Sequence, residues 1–473
     1  MKNIEKIKLY DVVIIGSGIA GIICARELIR IGARRVLILE ASNDFITTEK
    51  SKDHYDGTIS TSSERHSNPN LYRHLAIGGT SRAWGGGLVF FEPGDFETRG
   101  LSGEKLWPIS FDDLDKWRTS AANNFGLSGQ AVNREKLKNI YHNIRSIDLS
   151  TKFDTSAVVF KRWNKHNLVG ELNNIDHLVG SVAIDLADAD EGNLTVIVKD
   201  YKNGDLRSVS GKKVVIASGG IESTRFFLNS KFLRSASKNS DVAGAYYSPH
   251  ISGSLGILVA KDKNFIKLRS RTIVDQEANY APFIYTTMNH GMHSLKLNIG
   301  NVDPSCAQLL KSYNVEGQKF PLFSLASSSR MHHVRFDSDQ IPNKKSRLKL
   351  SQILGPDGYP RIEIDYQILE EDWSRIRKLA HQFQKEVADF GFDFLIGEDR
   401  QIRTCILGQS HHLGALRMSN NSDSGIVDCN LEVFGAPNVF VLSGAVFPSY
   451  SFANPSFTLG ALSCRLAHFL SES

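Results

Sequence analysis

The sequence predicts an α/β protein in which a Rossmann-type nucleotide-binding domain is interrupted by a sheet-rich α+β domain. Three observations predict this class. A strand, a glycine-rich turn and a helix follow one another over residues 11–31, and a second strand runs into a Gly–Gly turn and a helix over 214–224. Alternating strand-like runs occupy 246–350, and the chain ends in another strand, a Gly/Pro/Ser loop and a helix. Because nucleotide-site pieces flank the sheet-rich part, the nucleotide-binding domain is predicted to be discontinuous.

The first unit carries the glycine pattern of a dinucleotide site. Asp11–Ile15 reads as a buried strand, GSGIAG follows at once, and a predicted helix and second strand come next. Gly16 allows a tight turn, Gly18 lets the backbone approach a pyrophosphate, and Gly21 lets helix and strand pack closely. Glu40, 19 residues after Gly21, can accept the hydroxyls of an adenosine ribose. This unit alone leaves NAD and FAD open.

Two later segments extend the predicted nucleotide site. The run Leu75–Gly87 holds five glycines and Trp84 in 13 residues, which indicates backbone packed closely against something flat or bulky. Ser218 and Gly219 lie in the turn after the strand of the second unit, where a helix N-terminus again offers free N–H groups. Both segments are therefore expected to face the cofactor.

Other segments predict elements that pack rather than react. Ser110 is the predicted N-cap of a helix over 111–125, and a long amphipathic helix is predicted over 370–390. Strand-like runs at 253–259 and 282–288 belong to the predicted sheet-rich domain.

Composition excludes several function classes. The 56 Lys and Arg against 51 Asp and Glu leave a net charge of +5 without a basic block, which argues against nucleic-acid binding. The five cysteines are scattered without a Cys-x-x-Cys, so zinc, iron–sulfur and attached haem sites are not expected. The apolar run Val12–Ala25 contains four glycines and serines and is too short to span a bilayer. A cytoplasmic protein without an integral membrane segment is predicted.

Several segments together resemble one family. They are SHHLGALRMS at 410–419, LSGAVFPSYSFANPSFTLGALSCRLAHFL at 442–470, GGTSRAWGGG and ASGGIESTR. With the N-terminal glycine motif, they resemble the glucose–methanol–choline (GMC) oxidoreductase family of FAD enzymes. WPISFDDLDKW, AGAYYSPH at 243–250 and DQIPNKKSRLKL at 339–350 add further matches in the family's order. The resemblance implies FAD rather than NAD.

The resemblance also implies domain boundaries and cofactor contacts. The FAD-binding domain is expected to comprise residues 1–110, 166–245 and 403–473, and the substrate-binding domain with its connecting segments 111–165 and 246–402. The expected FAD-binding residues are Gly16, Gly18, Gly21, Glu40, Gly79, Thr80, Ser81, Trp84, Gly85, Gly86, Val182, Ser218, Gly219, Gly444, Ala445 and Pro455. Some family members attach FAD covalently through a histidine of the flavin loop. Ala83 matches that position, so FAD is predicted to bind non-covalently.

The same resemblance implies a catalytic pair, His411 and Asn454. His411 lies three residues before Gly414 in a pattern where the family has threonine at the position of Ala415. Asn454 lies in an Ala-Asn-Pro context before the last helix. Oxidising an alcohol removes the hydroxyl proton and a hydride from one carbon; a neutral imidazole can take the proton, and an amide can hold the oxygen. Flavin N5 would take the hydride.

The remaining histidines are expected to have supporting roles. His412 is expected to point away from the site, as a supporting or structural residue, if the loop is extended. His332 and His333 could line the substrate pocket, although a solvated or packing pair is the preferred interpretation. No cysteine or carboxylate partners accompany them in a zinc-like spacing, so no metal is predicted.

The resulting hypothesis is an FAD-dependent oxidoreductase that oxidises a CH–OH group of a sugar or polyol-like metabolite. The sugar preference rests on a resemblance to the bacterial, sugar-acting and pyranose-oxidising branches. The alternative is a flavin-binding lyase of the hydroxynitrile-lyase type, with FAD structural and His411 as base; a non-catalytic scaffold is disfavoured because both members of the pair are present. An external acceptor is expected, which leaves a quinone, a carrier protein or oxygen open. A dehydrogenase is favoured over an oxidase, since a cytosolic enzyme gains little from making peroxide.

Overall fold

The computed structural model of the protein describes most of the chain. The described residues are 9–33, 35–43, 59–60, 73–82, 84–97, 103–144, 150, 152–161, 175–237, 241–261, 273–287, 294–301, 331–355, 357–404 and 411–472. Most of residues 43–70 lie outside them, as does Ala83, the position that matches the histidine of covalent attachment in other family members.

The described residues form strands and helices with the following bounds. The strands are β1 Leu9–Ile15, β2 Val36–Glu40, β3 Ile59–Ser60, β4 Gly87–Leu88, β5 Asp154–Phe160, β6 Asp176–Val179, β7 Ser181–Asp188, β8 Leu194–Asp200, β9 Leu206–Ile216, β10 Ile251–Ala260, β11 Ile273–Val274, β12 Asn279–Thr287, β13 Ser294–Asn301, β14 Met331–Ser338, β15 Arg347–Leu354, β16 Pro360–Asp365, β17 Phe392–Ile396 and β18 Val439–Val441. The helices are α1 Ile19–Arg30, α2 Pro93–Phe96, α3 Phe111–Asp115, α4 Arg118–Asn124, α5 Arg134–Ile144, α6 Gly220–Asn229, α7 Lys231–Ala236, α8 Glu370–Ala388, α9 Asp399–Thr404 and α10 Pro455–Glu472.

The first sheet is the nucleotide-binding layer expected from the sequence. Its strand order is β6-β2-β1-β9-β8-β7, with β18 also paired to β9. The pairs β6–β2, β2–β1, β1–β9 and β9–β18 are parallel, while β9, β8 and β7 are antiparallel. Val13 and Ile14 of β1 are fully buried, as expected for a strand covered on both faces. The carboxyl ends of β1, β2, β9 and β18 meet at one edge, where ligands bind in such sheets.

The second sheet is antiparallel and lies in the predicted sheet-rich part. Its order is β17-β10-β14-β13-β12-β5-β4, and β11 pairs with β12. Trp373, Ile376 and Phe383 of α8 are buried in the core that includes Phe394 of β17. A three-stranded sheet of β15, β16 and β3 completes the described strands. The fold is α/β, with parallel and antiparallel sheets as predicted.

Some predicted elements differ in detail from the structure. The helix expected over 111–125 is two helices, α3 and α4. The N–H of Trp117 bonds to the carbonyl of Leu114, a tighter turn that ends α3. Ser110 does cap α3, because its Oγ accepts from the N–H of Asp113 and the Asp113 carboxylate accepts from the N–H of Ser110. The last helix begins at Pro455, where proline suits the first helical turn.

The strands fall into the predicted domains with two exceptions, namely β4 and β3; β3 lies in the segment 1–110 but pairs with β16 of the three-stranded sheet. The strands of the first sheet come from residues 9–40, 176–216 and 439–441, all within the predicted FAD-binding segments. Strand β4 falls in the predicted FAD-binding segment 1–110 but pairs with β5 of the second sheet. The domain boundaries remain a prediction.

Two expectations about the whole chain concern absences. None of the helices in the described part of the chain has the length and apolar character needed to span a bilayer. Within those same residues, no group of three His, Cys, Asp or Glu side chains is arranged to hold a metal ion. Cys24 and Cys464 are buried thiols, Cys429 is a half-buried thiol, and Cys306 and Cys405 lie outside the described residues.

Candidate cofactor cavity and active site

In the turn after β1, two glycines lie where the Cβ of any other residue would clash with backbone. Gly16 has a φ of +110°, and a Cβ on it would lie 2.7 Å from the carbonyl oxygen of Ala217. A Cβ on Gly21 would lie 2.1 Å from the carbonyl oxygen of Gly16. Gly18 precedes α1 and no side chain caps the helix. The first-turn N–H groups of α1 are therefore available to an anion.

A matching turn follows β9. Gly219 has a φ of +81° and precedes α6, again without a side-chain cap. The Ser218 hydroxyl donates to the carbonyl of Ile15 at 3.1 Å, which ties the two turns together. A Cβ on Gly220 would lie 2.1 Å from the carbonyl oxygen of His412. The second turn therefore contacts the first turn on one side and the predicted catalytic segment on the other.

A cavity opens between these turns. Nine of the predicted cofactor residues line it: Gly16, Gly18, Glu40, Gly79, Thr80, Ser81, Val182, Ser218 and Gly219. A Cβ on Gly219 would meet nothing within 4 Å, and one on Gly18 would meet only the carbonyl of Ala217 at 3.9 Å. Bare backbone thus borders open space at both helix N-termini. This cradle fits a pyrophosphate and the flat rings attached to it.

Glu40 lies in the same cavity with most of its acceptor sites already used. Its carboxylate accepts from the N–H and the hydroxyl of Ser17, at 3.1 and 2.6 Å, and from the N–H of Ser42 at 2.9 Å. Burial raises the pKa of Glu40, and these hydrogen bonds oppose the rise. Ser17 Oγ also accepts from the N–H of Gly78 at 3.1 Å. A ribose hydroxyl would therefore compete with the Ser17 hydroxyl for Glu40.

The other predicted cofactor residues do not line this cavity. They are Gly21, Trp84, Gly85, Gly86, Gly444, Ala445 and Pro455. Gly21 packs on the first turn, and Pro455 is buried at the start of α10. The indole N–H of Trp84 is buried and has no hydrogen-bond partner among the described residues. Gly444 and Ala445 accept hydrogen bonds from the segment that follows His411.

Residues 411–418, the histidine loop, are held by backbone hydrogen bonds. The N–H groups of Gly414 and Leu416 donate to the carbonyls of Gly444 and Ala445, at 3.1 and 3.0 Å. Gly414 and Ala415 both have positive φ, +70° and +78°. A β-branched residue is strongly disfavoured in that conformation, so alanine suits the position where the family pattern has threonine.

His411 meets a second histidine. Its Nδ1 lies 3.3 Å from the Nδ1 of His250, and the ring centroids are 4.5 Å apart at 66°. Desolvation lowers the pKa of His411 to about 4 and holds the pKa of His250 well below its usual range. Both rings are therefore neutral at pH 7.

The charged neighbours of the histidine pair come from the second sheet. Lys296 of β13, which is buried, and Asp337 of β14, which is half-buried, form an ion pair at 3.1 Å. Asp337 raises and Lys296 lowers the pKa of both histidines. The Ser252 hydroxyl donates to Asp337 at 2.5 Å. The pair therefore lies beside a polar, charged part of the sheet.

His412 faces the opposite way from its predicted direction. It lines the described cavity, whereas His411 does not. Its Nδ1 lies 2.7 Å from the hydroxyl of Tyr247. Burial raises the pKa of Tyr247 well above its usual range, so its hydroxyl keeps its proton, and the direction of its hydrogen bond with His412 depends on the tautomer of the ring. The two side chains do diverge as alternation in an extended segment requires, but it is His412 that turns to the cavity.

Asn454 is held against Gly87, the last residue of the glycine-rich run 75–87. Its amide nitrogen donates to the carbonyl of Gly87 at 3.2 Å. The preceding residues are anchored because Ser451 donates to the buried carboxylate of Asp95 at 2.8 Å. Among the described residues, no hydrogen bond joins Asn454 to His411, so the predicted pair is not joined directly.

Sequence reasoning missed several residues of the site. His250 and Tyr247 lie within AGAYYSPH, which the sequence offered only as a family-like segment. Arg73 and Arg225 also line the cavity and are buried. Arg225 was visible at the end of ASGGIESTR, next to the predicted turn.

These arginines form a buried charge cluster. Arg225 donates to both oxygens of Asp357 at 2.7 and 2.8 Å, and Arg73 pairs with Glu222 at 2.8 Å. Arg225 also donates to the carbonyl of Pro360 at 2.7 Å. The cluster therefore ties the turn between β15 and β16 to α6.

His332 and His333 are not solvated. Both lie on β14 and are buried, with 3% and 4% of their surface exposed. The Nε2 of His333 lies 2.5 Å from the Ser254 hydroxyl. The solvated alternative in the sequence interpretation is wrong, and packing in the second sheet accounts for their burial.

Comparison with known proteins shows a similarity to one family. Residues 342–463 match the C-terminal family model described as GMC oxidoreductase. GMC oxidoreductase family protein Mala s 12 of Malassezia sympodialis is 23% identical, with 93% of this chain and 89% of that protein covered. Over residues 342–463 the chain is similar to GMC oxidoreductases, and its similarity to Mala s 12 extends over most of its length.

Two oxidases are also among the similar proteins. The 6'''-hydroxyparomomycin C oxidase of Streptomyces lividus is 22% identical over 58% of this chain and 47% of that protein. The crystal structure of pyridoxine 4-oxidase from Mesorbium loti superimposes with a TM-score of 0.61 at 17% identity, covering 98% of this chain and 99% of that one. FAD is the cofactor expected of a GMC oxidoreductase, and the glycine cradle fits it.

Proposed function

We propose that the chain oxidises a CH–OH group of a sugar- or polyol-like alcohol, with His411 as the base. The observation that carries the proposal is the contact between the histidine loop and the cofactor cavity. The carbonyl oxygen of His412 lies directly over Gly220, at the N-terminus of α6. His411, the preceding residue, is therefore next to the wall of the cavity that fits FAD. When bound, FAD supplies the acceptor for the hydride.

His411 is prepared to take a proton. Its ring is neutral because burial lowers its pKa to about 4, and a neutral imidazole has a lone pair for the alcohol proton. Lys296 and Asp337 shift this pKa in opposite directions and are paired with each other. His411 can therefore gain a charge during the reaction while the ion pair of Lys296 and Asp337 stays intact.

We assign Asn454 to the alcohol oxygen. Its link to Gly87 and the anchoring of Ser451 on Asp95 restrict the side chain before substrate arrives. Such restriction lowers the entropy cost of holding the hydroxyl in a reactive orientation.

The substrate class is proposed from the chemistry of the second sheet. Lys296, Asp337 and Ser252 make the surroundings of the histidine pair polar, which suits a substrate with several hydroxyl groups. The similarity to 6'''-hydroxyparomomycin C oxidase also supports a polar, sugar-like alcohol. We further propose an external electron acceptor, namely a quinone, a carrier protein or oxygen. A reducing, cytoplasmic compartment is proposed from the neighbouring buried thiols Cys24 and Cys464.

Anaerobic mixing tests the proposal. FAD-loaded protein is mixed with a panel of sugars, polyols and simple alcohols while the flavin band at about 450 nm is followed. We expect bleaching by a polyhydroxylated alcohol and little by small alcohols. Turnover of a cyanohydrin without bleaching would instead support the lyase. Precipitation with acid should release the flavin; colour retained on the protein would contradict non-covalent binding.

A further inference from the structure

The contact between His411 and His250 connects two distant parts of the chain. Their Nδ1 atoms are 3.3 Å apart across a separation of 161 residues. His250 lies just before β10 and is 2% exposed, while His411 begins the histidine loop. The bridge between Ser248 and Leu413 pairs the two segments next to the histidines. The two segments that carry the rings are therefore held together by backbone pairing.

The number of protons at this contact is restricted. A neutral imidazole carries one N–H. A hydrogen bond between the Nδ1 atoms of two neutral rings therefore requires that one ring carries its proton on Nδ1 and the other carries its proton on Nε2. If Nδ1 of His250 carries the shared proton, the proton of His411 is on its Nε2, and this nitrogen has no lone pair to accept a proton from the alcohol. If the shared proton belongs to His411, its Nε2 is bare. Only the second arrangement leaves a basic nitrogen on the side of the ring away from His250.

We propose that His250 is a positioning residue that accepts the Nδ1–H of His411 and so keeps the Nε2 of His411 bare. The inference rests on the proposed function, in which His411 takes the alcohol proton. His250 then carries its own proton on Nε2, a buried atom with no hydrogen-bond partner among the described residues. When Nε2 of His411 accepts the alcohol proton, its Nδ1–H still donates to His250. This hydrogen bond becomes stronger because the donor ring is now charged.

The neighbouring charges do not substitute for His250. Asp337 and Lys296 are the charged groups that act on both rings. Asp337 already accepts from Ser252 at 2.5 Å and from Lys296 at 3.1 Å. The Nδ1 of His250 is the acceptor that the geometry offers to Nδ1–H of His411.

Two amide variants distinguish the nitrogens of His250. Asparagine can place its side-chain oxygen near the position of Nδ1, whereas glutamine places it near Nε2. His250→Asn therefore keeps an acceptor for His411, and His250→Gln removes it at similar polarity. His333→Gln is a matched control, because His333 is equally buried and glutamine preserves the contact of Nε2 with Ser254.

The direct measurement is ¹⁵N NMR of FAD-loaded protein labelled at histidine, since protonated and bare ring nitrogens differ widely in shift. Loss of signals in His411→Asn assigns the ring. We expect a protonated Nδ1 and a bare Nε2 for His411 in the wild type, His250→Asn and His333→Gln. His250→Gln should show the other tautomer or a mixture. A protonated Nε2 in the wild type, or an unchanged tautomer in His250→Gln, would overturn the inference.

Kinetics provide a second readout. With an alcohol found in the anaerobic screen, His250→Gln should slow flavin reduction by about tenfold or more and lower the apparent pKa of the base in the pH profile. His250→Asn should recover most of the rate and the profile. Equal rates and profiles in the two variants would contradict the inference. If His411→Asn reduces its flavin normally, the proposed function fails, while the NMR result still decides the role of His250.

Discussion

The cofactor side and the substrate side of the site are built by different means. On the cofactor side, two glycine turns at the ends of parallel strands offer bare backbone and two helix N-termini. On the proposed substrate side, the antiparallel sheet and the residue before β10 place the titratable groups His250, Lys296 and Asp337 near His411. The first arrangement depends on backbone conformation and the second on contacts between side chains. Substitutions should therefore separate cofactor binding from chemistry.

Replacing His411 with alanine should have the largest effect on the substrate side. Loss of the base is expected to slow flavin reduction by about 10²–10⁴-fold. FAD should stay bound, because His411 does not line the described cavity. Anaerobic stopped-flow measurement and the flavin spectrum test both statements. His412→Ala is the control; since His412 lines the cavity, it should weaken FAD binding and slow reduction less. A larger kinetic loss in His412→Ala would assign the base to His412.

Removing Arg225 tests the charge cluster that joins the two sides. Arg225→Ala removes the guanidinium that donates to both oxygens of the buried Asp357 carboxylate, and breaking such a buried ion pair is expected to cost about 3–5 kcal/mol in unfolding free energy. Urea unfolding measures the loss. Lys349→Ala is the control on the same hairpin, because its pair with Asp365 is 48% and 24% exposed and should contribute at most about 1 kcal/mol. Equal losses would show that the buried pair has no special role.

A methyl group on Gly220 tests the contact between the two sides. Gly220→Ala should displace the carbonyl of His412 and destabilise the protein by about 1–3 kcal/mol. Flavin reduction at saturating FAD should slow as well, because the histidine loop shifts. Gly219→Ala strains a positive φ without a steric clash, at about 1–2 kcal/mol. It should affect FAD affinity more than the rate. Equal rates of flavin reduction in the two variants would contradict the proposal that the contact of His412 with Gly220 positions the histidine loop.

Acid should produce the smallest effect. Burial lowers the pKa of His411 to about 4 in the native protein, whereas an exposed histidine has a pKa of about 6.5, so below pH 6.5 the unfolded chain takes up a proton that the native protein does not. Stability therefore falls as pH decreases, and His411 accounts for at most about 2 kcal/mol of the loss between pH 6.5 and 5. Urea midpoints at the two pH values check this. His411→Asn should show a smaller fall; an equal fall would assign the effect to other groups.

The comparison also explains what the sequence could predict. Gly16, Gly18 and Gly219 are recognisable because a turn and a helix start depend on residues close together in the chain. The alternation of His411 and His412 was predictable, but the side facing the cavity was not, since nothing in the loop itself specifies it. His250 was missed because its partner lies 161 residues away and its meaning depends on the pairing of two segments.

The same distinction applies to the fold. The strands and long helices follow from hydrophobic pattern, and their existence was predicted. The break between α3 and α4 depends on one tightened turn at Trp117, which propensity does not reveal. The pairing of β4 with β5 rather than within the first sheet depends on tertiary contacts. Local rules predicted the nucleotide-binding layer well, and long-range contacts decided the rest.

The opposite orientation of two adjacent histidines has a consequence for insertions and deletions. Because neighbouring residues in an extended segment face opposite sides, an insertion of one residue between His412 and Gly414 would bring His412 to the place of His411 beside His250. Deletion of Leu413 would instead bring His411 to the place of His412, and neither histidine would then lie beside His250. The length of this short stretch is therefore as much a part of the site as the identity of its side chains.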